Sequence, residues 1–266
     1  KFNAENASLV ALDPKTGQIL TMVGSRDYFD KDIDGNVNIT LALRQPGSAF
    51  KPFVYATAFK KGYTPDTVLF DVPTQFSTAC PASSMSNISP CYSPKNYDLL
   101  FRGPMTIRQA LAQSVNVPAV EAVYLAGLTE SLKTARDMGI TTLADPARYG
   151  LTLVLGGGEV TLLELTSAYS VFANDGSRNP TTPILKIEDS TGRVLEEFNA
   201  RSFRVIDRNI ALQMSDILSD NTARTPAFGE RSSLYFPGKQ VAAKTGTTND
   251  YRDAWIIGYT PSISAG

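Results

Sequence analysis

The sequence predicts an α+β fold in which one antiparallel sheet is assembled from both chain ends and packed against a helical block. Three observations predict it. Two short apolar runs joined by a Pro/Gly turn stand near the start, capped apolar helices fill the middle, and two strand-like runs close the chain. The chain holds 266 residues and shows no internal repeat and no linker strong enough to divide it, so a single domain over 1–266 is expected.

Ser8-Leu-Val-Ala-Leu12 and Ile19-Leu-Thr-Met-Val23 are read as the strands of a hairpin. Between them, Asp13-Pro-Lys-Thr-Gly17 is a turn, with a Pro that fixes φ and a Gly that accepts a positive φ. The polar stretch 25–38 is loop. Pro46-Gly47-Ser48 then opens a helix that is apolar nearly all round, through Ala49, Phe50, Phe53, Val54, Ala56, Ala58 and Phe59, as a centrally buried helix must be. Pro52 sits in its first turn, where the lost N–H costs little. Lys60-Lys61-Gly62 stops it, with cations at the negative end of the helix dipole.

Residues 71–98, rich in Pro, Ser and Asn, read as a long loop. Thr106-Ile-Arg-Gln109 is a capping box whose helix runs to about Gln113 and breaks at Ser114-Val115-Asn116. Pro118 suits position N1 of the next helix, with Asn116 or Val117 as its cap and Gly127 as its stop. Helices are expected from Thr129 to Met138, from Thr161-Leu-Leu-Glu164 to about Asn174, and from Asp207 to Leu218, with a hairpin over 184–198. Gln240–Thr247 and Ala254–Tyr259 read as adjacent antiparallel strands, with a turn at Thr247-Thr-Asn-Asp250.

Composition excludes several chemistries. Apolar residues make up 42% and charged residues 19%, enough for a large core. The net charge is −1 and no block of Lys/Arg has the length of a nucleic-acid arm, so nucleic acid is not an expected partner. No stretch approaches the ~18 apolar residues of a spanning helix. The chain has no histidine, which rules out Ser-His-Asp and Cys-His mechanisms. Cys80 and Cys91 are the only cysteines, and without His they do not complete a structural zinc site. No metal and no cofactor is expected, and the base of any nucleophilic reaction must be Lys, Asp, Glu or Tyr.

Three segments carry such chemistry. In Ser48-Ala-Phe-Lys51, serine and lysine lie three apart at the start of a helix, on one face, so the amine can reach the hydroxyl. Lys51 acts as a base only when uncharged. Its pKa must therefore fall from about 10.4 to near 7, a cost of about 4 kcal/mol. Burial beside Phe50 and Phe53 and a second cation, Lys244, both act in that direction. Ser114-Val-Asn116 offers a hydroxyl that can relay a proton and an amide that can grip a peptide carbonyl; by itself it also fits a plain polar break between helices. Lys244-Thr245-Gly246-Thr247 ends an apolar strand. Gly246 permits close approach of an extended peptide to an edge, Lys244 and the threonine hydroxyls suit a carboxylate, and the N–H groups of Ser48 and Thr247 suit an oxyanion.

The combination S-x-x-K, S-x-N, K-T-G in this order resembles the serine β-lactamase and penicillin-binding protein superfamily. Further segments are similar to class A, bifunctional penicillin-binding proteins: Ala11–Gly17, Arg44–Pro52, Ser93-Pro-Lys-Asn-Tyr97, Leu155-Gly-Gly-Gly-Glu-Val160 and Ala168–Asn174. The resemblance implies a β-lactamase/transpeptidase-like fold and a D,D-transpeptidase that cross-links peptidoglycan stem peptides, with a D-Ala-D-Ala donor, an amine acceptor and β-lactam antibiotics as acylating agents. It implies Ser48 as the acylated residue, Lys51 as the base, Ser114 in proton relay, Asn116 in substrate contact, and Lys244, Thr245 and Thr247 at the carboxylate. It also implies a glycosyltransferase domain and a membrane anchor preceding this segment, and a place in the cell envelope on the outer face of the cytoplasmic membrane. Against that pattern the chain is expected to lack a final strand and a C-terminal helix, and with them a sheet edge.

Other readings stay open at this level. A D,D-carboxypeptidase or β-lactamase of the same fold would use the same residues, and a non-catalytic β-lactam or peptidoglycan-binding domain would keep the fold alone. Glu159 and Glu164, near a helix start, are expected to be structural rather than water-activating. Cys80 and Cys91 are read equally as a disulfide or as two free thiols.

Overall fold

The two ends of the chain meet in one sheet. The computed structural model describes residues 5–143, 145, 148–248 and 252–266. Strands β1 (Leu9–Leu12) and β2 (Ile19–Val23) form the expected hairpin, closed by Gly17 at φ 81° and by its N–H donating to the Asp13 carbonyl at 2.8 Å. Among the described residues eight further strands precede the last one. They are the pairs β3 (Val68–Asp71) with β4 (Gly103–Thr106), β5 (Ser177–Arg178) with β8 (Phe203–Arg204) and β6 (Lys186–Glu188) with β7 (Val194–Glu197), then β9 (Ala242–Thr247) and β10 (Ala254–Thr260).

A final strand, β11 (Ile263–Ala265), completes a five-stranded antiparallel sheet of order β2-β1-β11-β10-β9. This corrects the expected loss of a strand and an edge. β11 is only three residues long, too short to stand out in a sequence, yet it sits in the middle of the sheet and joins the N-terminal hairpin to the C-terminal one. The edges are β2 and β9, and β9 pairs with β10 from Ala242↔Tyr259 to Thr247↔Ala254. Asn249 and Asp250 of the expected turn lie outside the described residues.

Seven helices complete the described fold: α1 (Lys51–Lys60), α2 (Ile107–Ala112), α3 (Asn116–Ala126), α4 (Leu128–Asp137), α5 (Leu162–Ala173), α6 (Arg208–Ser219) and α7 (Asn221–Phe228). The predicted caps hold α2, α5 and α6. The Thr106 hydroxyl accepts from Gln109 N–H, while the Gln109 side chain accepts from the Thr106 N–H; Thr161 accepts from Glu164 N–H; Asp207 accepts from Asn209 N–H. Each such cap stabilises its helix by roughly 1 kcal/mol.

Helix α1 behaves as its all-round apolar sequence requires. Every residue from Lys51 to Phe59 is buried, between α3, α4 and α6. Helix α5 lies on the sheet against β1, β10 and β11. The layers are tied together by aromatic rings: Phe53 of α1 meets Tyr169 and Phe172 of α5 at centroid distances of 5.6 and 6.0 Å, and both of these meet Tyr259 of β10 at 6.3 Å.

Two local boundaries differ from expectation. Pro46-Gly47-Ser48 does not begin α1; residues Gly47–Phe50 form a 3-10 turn and the α-helix starts at Lys51. Helix α3 begins at Asn116 with Val115 at the cap, so Pro118 occupies N3 rather than N1, still among the N–H positions without an intrahelical partner. The ladder of β3 and β4, interrupted by the long loop and carrying Pro104, is not apparent from periodicity. That ladder closes the base of the 72–102 loop, which is braced by a Cys80–Cys91 disulfide with Cα atoms 5.6 Å apart.

Candidate active site

Three backbones converge where Ser48 sits, and three glycines allow it. A Cβ on Gly47 would fall 2.5 Å from the Thr247 carbonyl oxygen, one on Gly156 would fall 2.2 Å from Gly47 N, and one on Gly246 would fall 2.0 Å from the Pro46 carbonyl oxygen. Each distance is well inside van der Waals contact, so only glycine lets the nucleophile turn lie between the Gly156 loop and the β9 edge. Gly47 and Gly156 also hold φ values of 55° and 85°. From beneath, the buried Tyr169 hydroxyl donates to the Ala49 carbonyl at 2.7 Å and fixes the turn on α5.

The three motifs meet in one network. Lys51 Nζ donates to Ser114 O at 2.7 Å, Val115 O at 3.1 Å and Asn116 Oδ1 at 2.8 Å. Lys244 Nζ donates to Ser114 Oγ at 2.7 Å and to its neighbour's carbonyl, Thr245 O, at 2.9 Å. Ser114 adopts φ 60°, a left-handed conformation uncommon for a residue with a side chain. In this conformation its carbonyl meets one lysine and its hydroxyl the other. The expected direct contact of Lys51 with Ser48 is not the one formed. The amine is held by the Ser114–Asn116 segment, and the Ser48 hydroxyl makes no hydrogen bond among the described residues.

Both lysines are buried, 0% exposed for Lys51 and 3% for Lys244. Burial, with the Lys244 charge as a second cause, holds the Lys51 amine well below the ordinary lysine range. Burial, followed by the charge of Arg224, brings Lys244 down to about 7. The three oxygens on Lys51 Nζ take the full donor complement of an ammonium. An uncharged amine has two N–H bonds, so one acceptor must be released when the proton leaves, and the freed lone pair can then face a hydroxyl.

Ser48, Asn96, Ser114, Asn116, Thr245 and Thr247 share the wall of one cleft of about 610 Å³ with Phe228 and Leu155, a size suited to a small ligand or a peptide end. β9 is an edge strand of the sheet, and Thr247 N and O lie at the Gly47 backbone, 2.8 and 2.5 Å from where its Cβ would be. Ser48 and Thr247 thus bring two peptide groups to the same rim of the cleft. Glu159 is exposed; Glu164 accepts from Thr141 N–H and from the Thr141 and Thr142 hydroxyls at 2.5–3.1 Å, so its carboxylate is engaged in holding the start of α5. No group of three His, Cys, Asp or Glu side chains among the described residues is placed to hold a metal.

Several residues at the site escaped sequence reasoning. Arg224 of α7, 2% exposed, donates to the carbonyls of Leu218, Leu234 and Ala243 behind Lys244. Nothing in its local sequence marks it. Asn96 and Gly156 fall in segments whose family resemblance is visible, 93–97 and 155–160, without any indication of what they do.

Comparison with known proteins places the chain in a family. The sequence profile of the penicillin binding protein transpeptidase domain matches residues 7–265. Penicillin-binding protein 1A of Neisseria meningitidis is 37% identical over 265 residues, covering 96% of this chain and 31% of that protein. The chain therefore spans about a third of the length of such relatives. The crystal structure of penicillin-binding protein 1A from Haemophilus influenzae superposes with a TM-score of 0.79 at 28% identity, over 98% of this chain and 42% of that one. PonA1 of Mycobacterium tuberculosis, at 22% identity, shares the fold with a TM-score of 0.81 over 99% of this chain and 68% of that one. The chain therefore belongs to the penicillin-binding protein transpeptidase domain family.

Proposed function

We propose that this domain is a serine D,D-transpeptidase acting through an ester on Ser48. The observation that carries the reading is the Lys51–Ser114–Lys244 network, which joins three sequence motifs behind the cleft that Ser48, Ser114 and Thr247 line. In the first step the Ser48 oxygen attacks the penultimate D-Ala carbonyl carbon while its proton passes to the Lys51 amine. The oxyanion is received by the N–H groups of Ser48 and Thr247. The C–N bond then breaks, and D-Ala leaves after its nitrogen takes a proton through the Ser114 hydroxyl. An amine of a second stem attacks the ester, and Ser48 regains its proton. Lys244, Thr245 and Thr247 bind the terminal carboxylate, Gly246 allows the substrate to lie along β9 as an added strand, and Asn116 contacts the substrate amide.

A β-lactam presents a strained amide to the same residues and acylates Ser48. Glu164 is held by Thr141 and Thr142 and does not line the cleft, so it is not placed to activate water on a Ser48 ester, which favours the transferase over a β-lactamase-type hydrolase. In the cell the domain works on the outer face of the cytoplasmic membrane, together with a glycosyltransferase domain and an anchor in the same protein. No helix among the described residues is long and apolar enough to cross a membrane.

Intact-protein mass spectrometry with benzylpenicillin tests the reading. A one-to-one adduct on Ser48, persisting for many minutes and absent in Ser48→Ala, is expected. An unlabelled parent protein would refute the site, and rapid loss of the adduct would reassign the domain as a hydrolase.

A further inference from the structure

The wall of the cleft formed by the 72–102 loop reaches the lysine base through a buried amide and the carbonyl beside it. Asn96, 3% exposed, accepts with Oδ1 from the Asn116 N–H at 2.9 Å and from the Val117 N–H at 3.3 Å. Val115 at the N-cap offers no side-chain hydrogen bond to these donors, so Asn96 caps α3 from across the fold. Next to it, the Lys95 carbonyl accepts from Asn116 Nδ2 at 2.9 Å. This contact decides which way the Asn116 amide faces: Nδ2 turns to Lys95, and Oδ1 turns to Lys51 Nζ at 2.8 Å. Asn96 is in turn held by its Nδ2, which donates to Asp71 Oδ1 at 2.6 Å and to Leu100 O at 2.7 Å. Asp71 is fully buried, and its other oxygen accepts from the Arg102 N–H at 2.9 Å and faces the Arg102 guanidinium at 3.5 Å.

We propose that the Asp71–Asn96 pair positions the catalytic lysine, by fixing the Ser114–Asn116 turn whose three oxygens hold Lys51 Nζ. The inference rests on the acyl-serine reading above. Asn96 touches none of the reacting atoms and is a positioning residue. Every acceptor on Lys51 lies on residues 114–116, and Asn96 receives the N–H groups of Asn116, the last of them, and of Val117, which follows it. Loosening this cap lets the turn move relative to α1, and the lysine moves with it. The pairing is directional. Asn96 supplies acceptors to α3 and a donor to a buried carboxylate, so neither residue can change alone without setting like against like.

That directionality supplies the test. Asn96→Asp puts a second carboxylate beside the first, where the Asn96 amide now donates at 2.6 Å. Combining it with Asp71→Asn restores the bonds between the two positions in reverse. The carboxylate then at position 96 accepts from the Asn116 and Val117 N–H groups and from the new amide at position 71, whose oxygen still receives the Arg102 N–H; the Leu100 carbonyl, which the Asn96 amide meets as a donor, is left facing a carboxylate oxygen. Acylation by a fluorescent penicillin is measured for each folded variant at its own pH optimum, with noncovalent affinity separated from the acylation step by the concentration dependence of the rate. Asn179→Ala serves as a control; Asn179 is a buried amide that donates to the Pro14 carbonyl, away from the cleft.

We expect Asn96→Asp to slow the acylation step at least tenfold with little change in noncovalent affinity. The double variant should acylate at least threefold faster than Asn96→Asp while staying below the parent, because the Leu100 carbonyl still opposes position 96, and Asn179→Ala should acylate like the parent. If Asn96→Asp fails to fold, Asn96→Ala decides: an acylation step slowed at least tenfold with noncovalent affinity retained supports the proposal, and the parental rate overturns it. A folded Asn96→Asp protein acylating at the parental rate overturns it, as does an equal slowing in Asn179→Ala. A parent protein that forms no adduct would instead refute the acyl-serine reading, which separates the two failures.

Discussion

Arg224 and Lys244 are two buried cations joined through one peptide: the Arg224 guanidinium donates at 3.4 Å to the carbonyl of Ala243, the residue before Lys244 on β9. Burial first, and the Arg224 charge second, bring Lys244 to about 7. Its ability to attract a carboxylate therefore fades as pH rises through that value. We expect the second-order rate of acylation by benzylpenicillin to rise as Lys51 loses its proton and to fall above about pH 7 as free Lys244 loses its own. Arg224→Gln removes one of the two causes and should move the falling limb to higher pH, measured by stopped-flow acylation across pH 5–9. A limb that stays in place would detach Arg224 from the site's electrostatics.

The same shift has a consequence for stability, with a definite sign. The folded pKa of Lys244 lies below the unfolded one, so between about pH 7 and the ordinary lysine value the unfolded chain binds the extra proton. Over that window Lys244 makes stability increase with pH. Below it the cost of the buried cation is present in full. Lys244→Met should flatten this rise, measured as the change in urea midpoint between pH 7 and pH 9 for parent and variant.

Ser114 receives Lys244 Nζ on its hydroxyl at 2.7 Å, which leaves its own proton free to point into the cleft. Removal of that hydroxyl breaks the relay without emptying the core. We expect Ser114→Ala to lower the acylation rate by roughly 10²–10⁴ and to leave the melting temperature nearly unchanged. Pre-steady-state labelling together with calorimetry would show both.

The parts legible in the sequence were those written in local chemistry. Thr106, Thr161 and Asp207 announce helices because a cap is a contact between neighbours, and α1 announces its burial because all its faces are apolar. The motif residues were recognisable because their spacing follows chemical need. Illegible were the features that depend on chain segments far apart. β11 is three residues whose pairing with β1 no local pattern encodes. Two of the acceptors on Lys51 are backbone carbonyls, which no residue type reveals. Asp71, Asn96 and Arg224 look like ordinary polar residues until the fold buries them beside the site.

Gly156 separates a steric role from a conformational one. It shares φ 85° with Gly192, but a Cβ on Gly156 would lie 2.2 Å from Gly47 N, whereas one on Gly192 would meet nothing within 4 Å. Both alanine variants carry the cost of a left-handed non-glycine residue, about 1 kcal/mol. Only Gly156→Ala also displaces the nucleophile turn. We expect Gly156→Ala to lose nearly all acylation and Gly192→Ala to retain the parental rate with slightly reduced stability, as read by penicillin labelling and thermal unfolding.

The Cys80–Cys91 bridge ties together a loop that reaches the cleft through Asn96, and the loop has packing of its own. Gln75 Nε2 donates to the Ser84 and Ser86 carbonyls, its Oε1 accepts from Tyr92 N–H, and Phe76 stacks on Tyr124 of α3 at 6.0 Å. Because these contacts survive reduction, opening the bridge should cost the loop-closure entropy of a short ring rather than the fold. We expect Cys80→Ser/Cys91→Ser to lower stability by about 2–3 kcal/mol. Acylation should fall less than for Asn96→Asp, since the ladder of β3 and β4 still sets both ends of the loop. Parallel denaturant titrations and labelling rates would check this order. A bridge-free protein that is stable yet fails to acylate would place control of the cleft wall in the disulfide rather than in the Asp71–Asn96 pair.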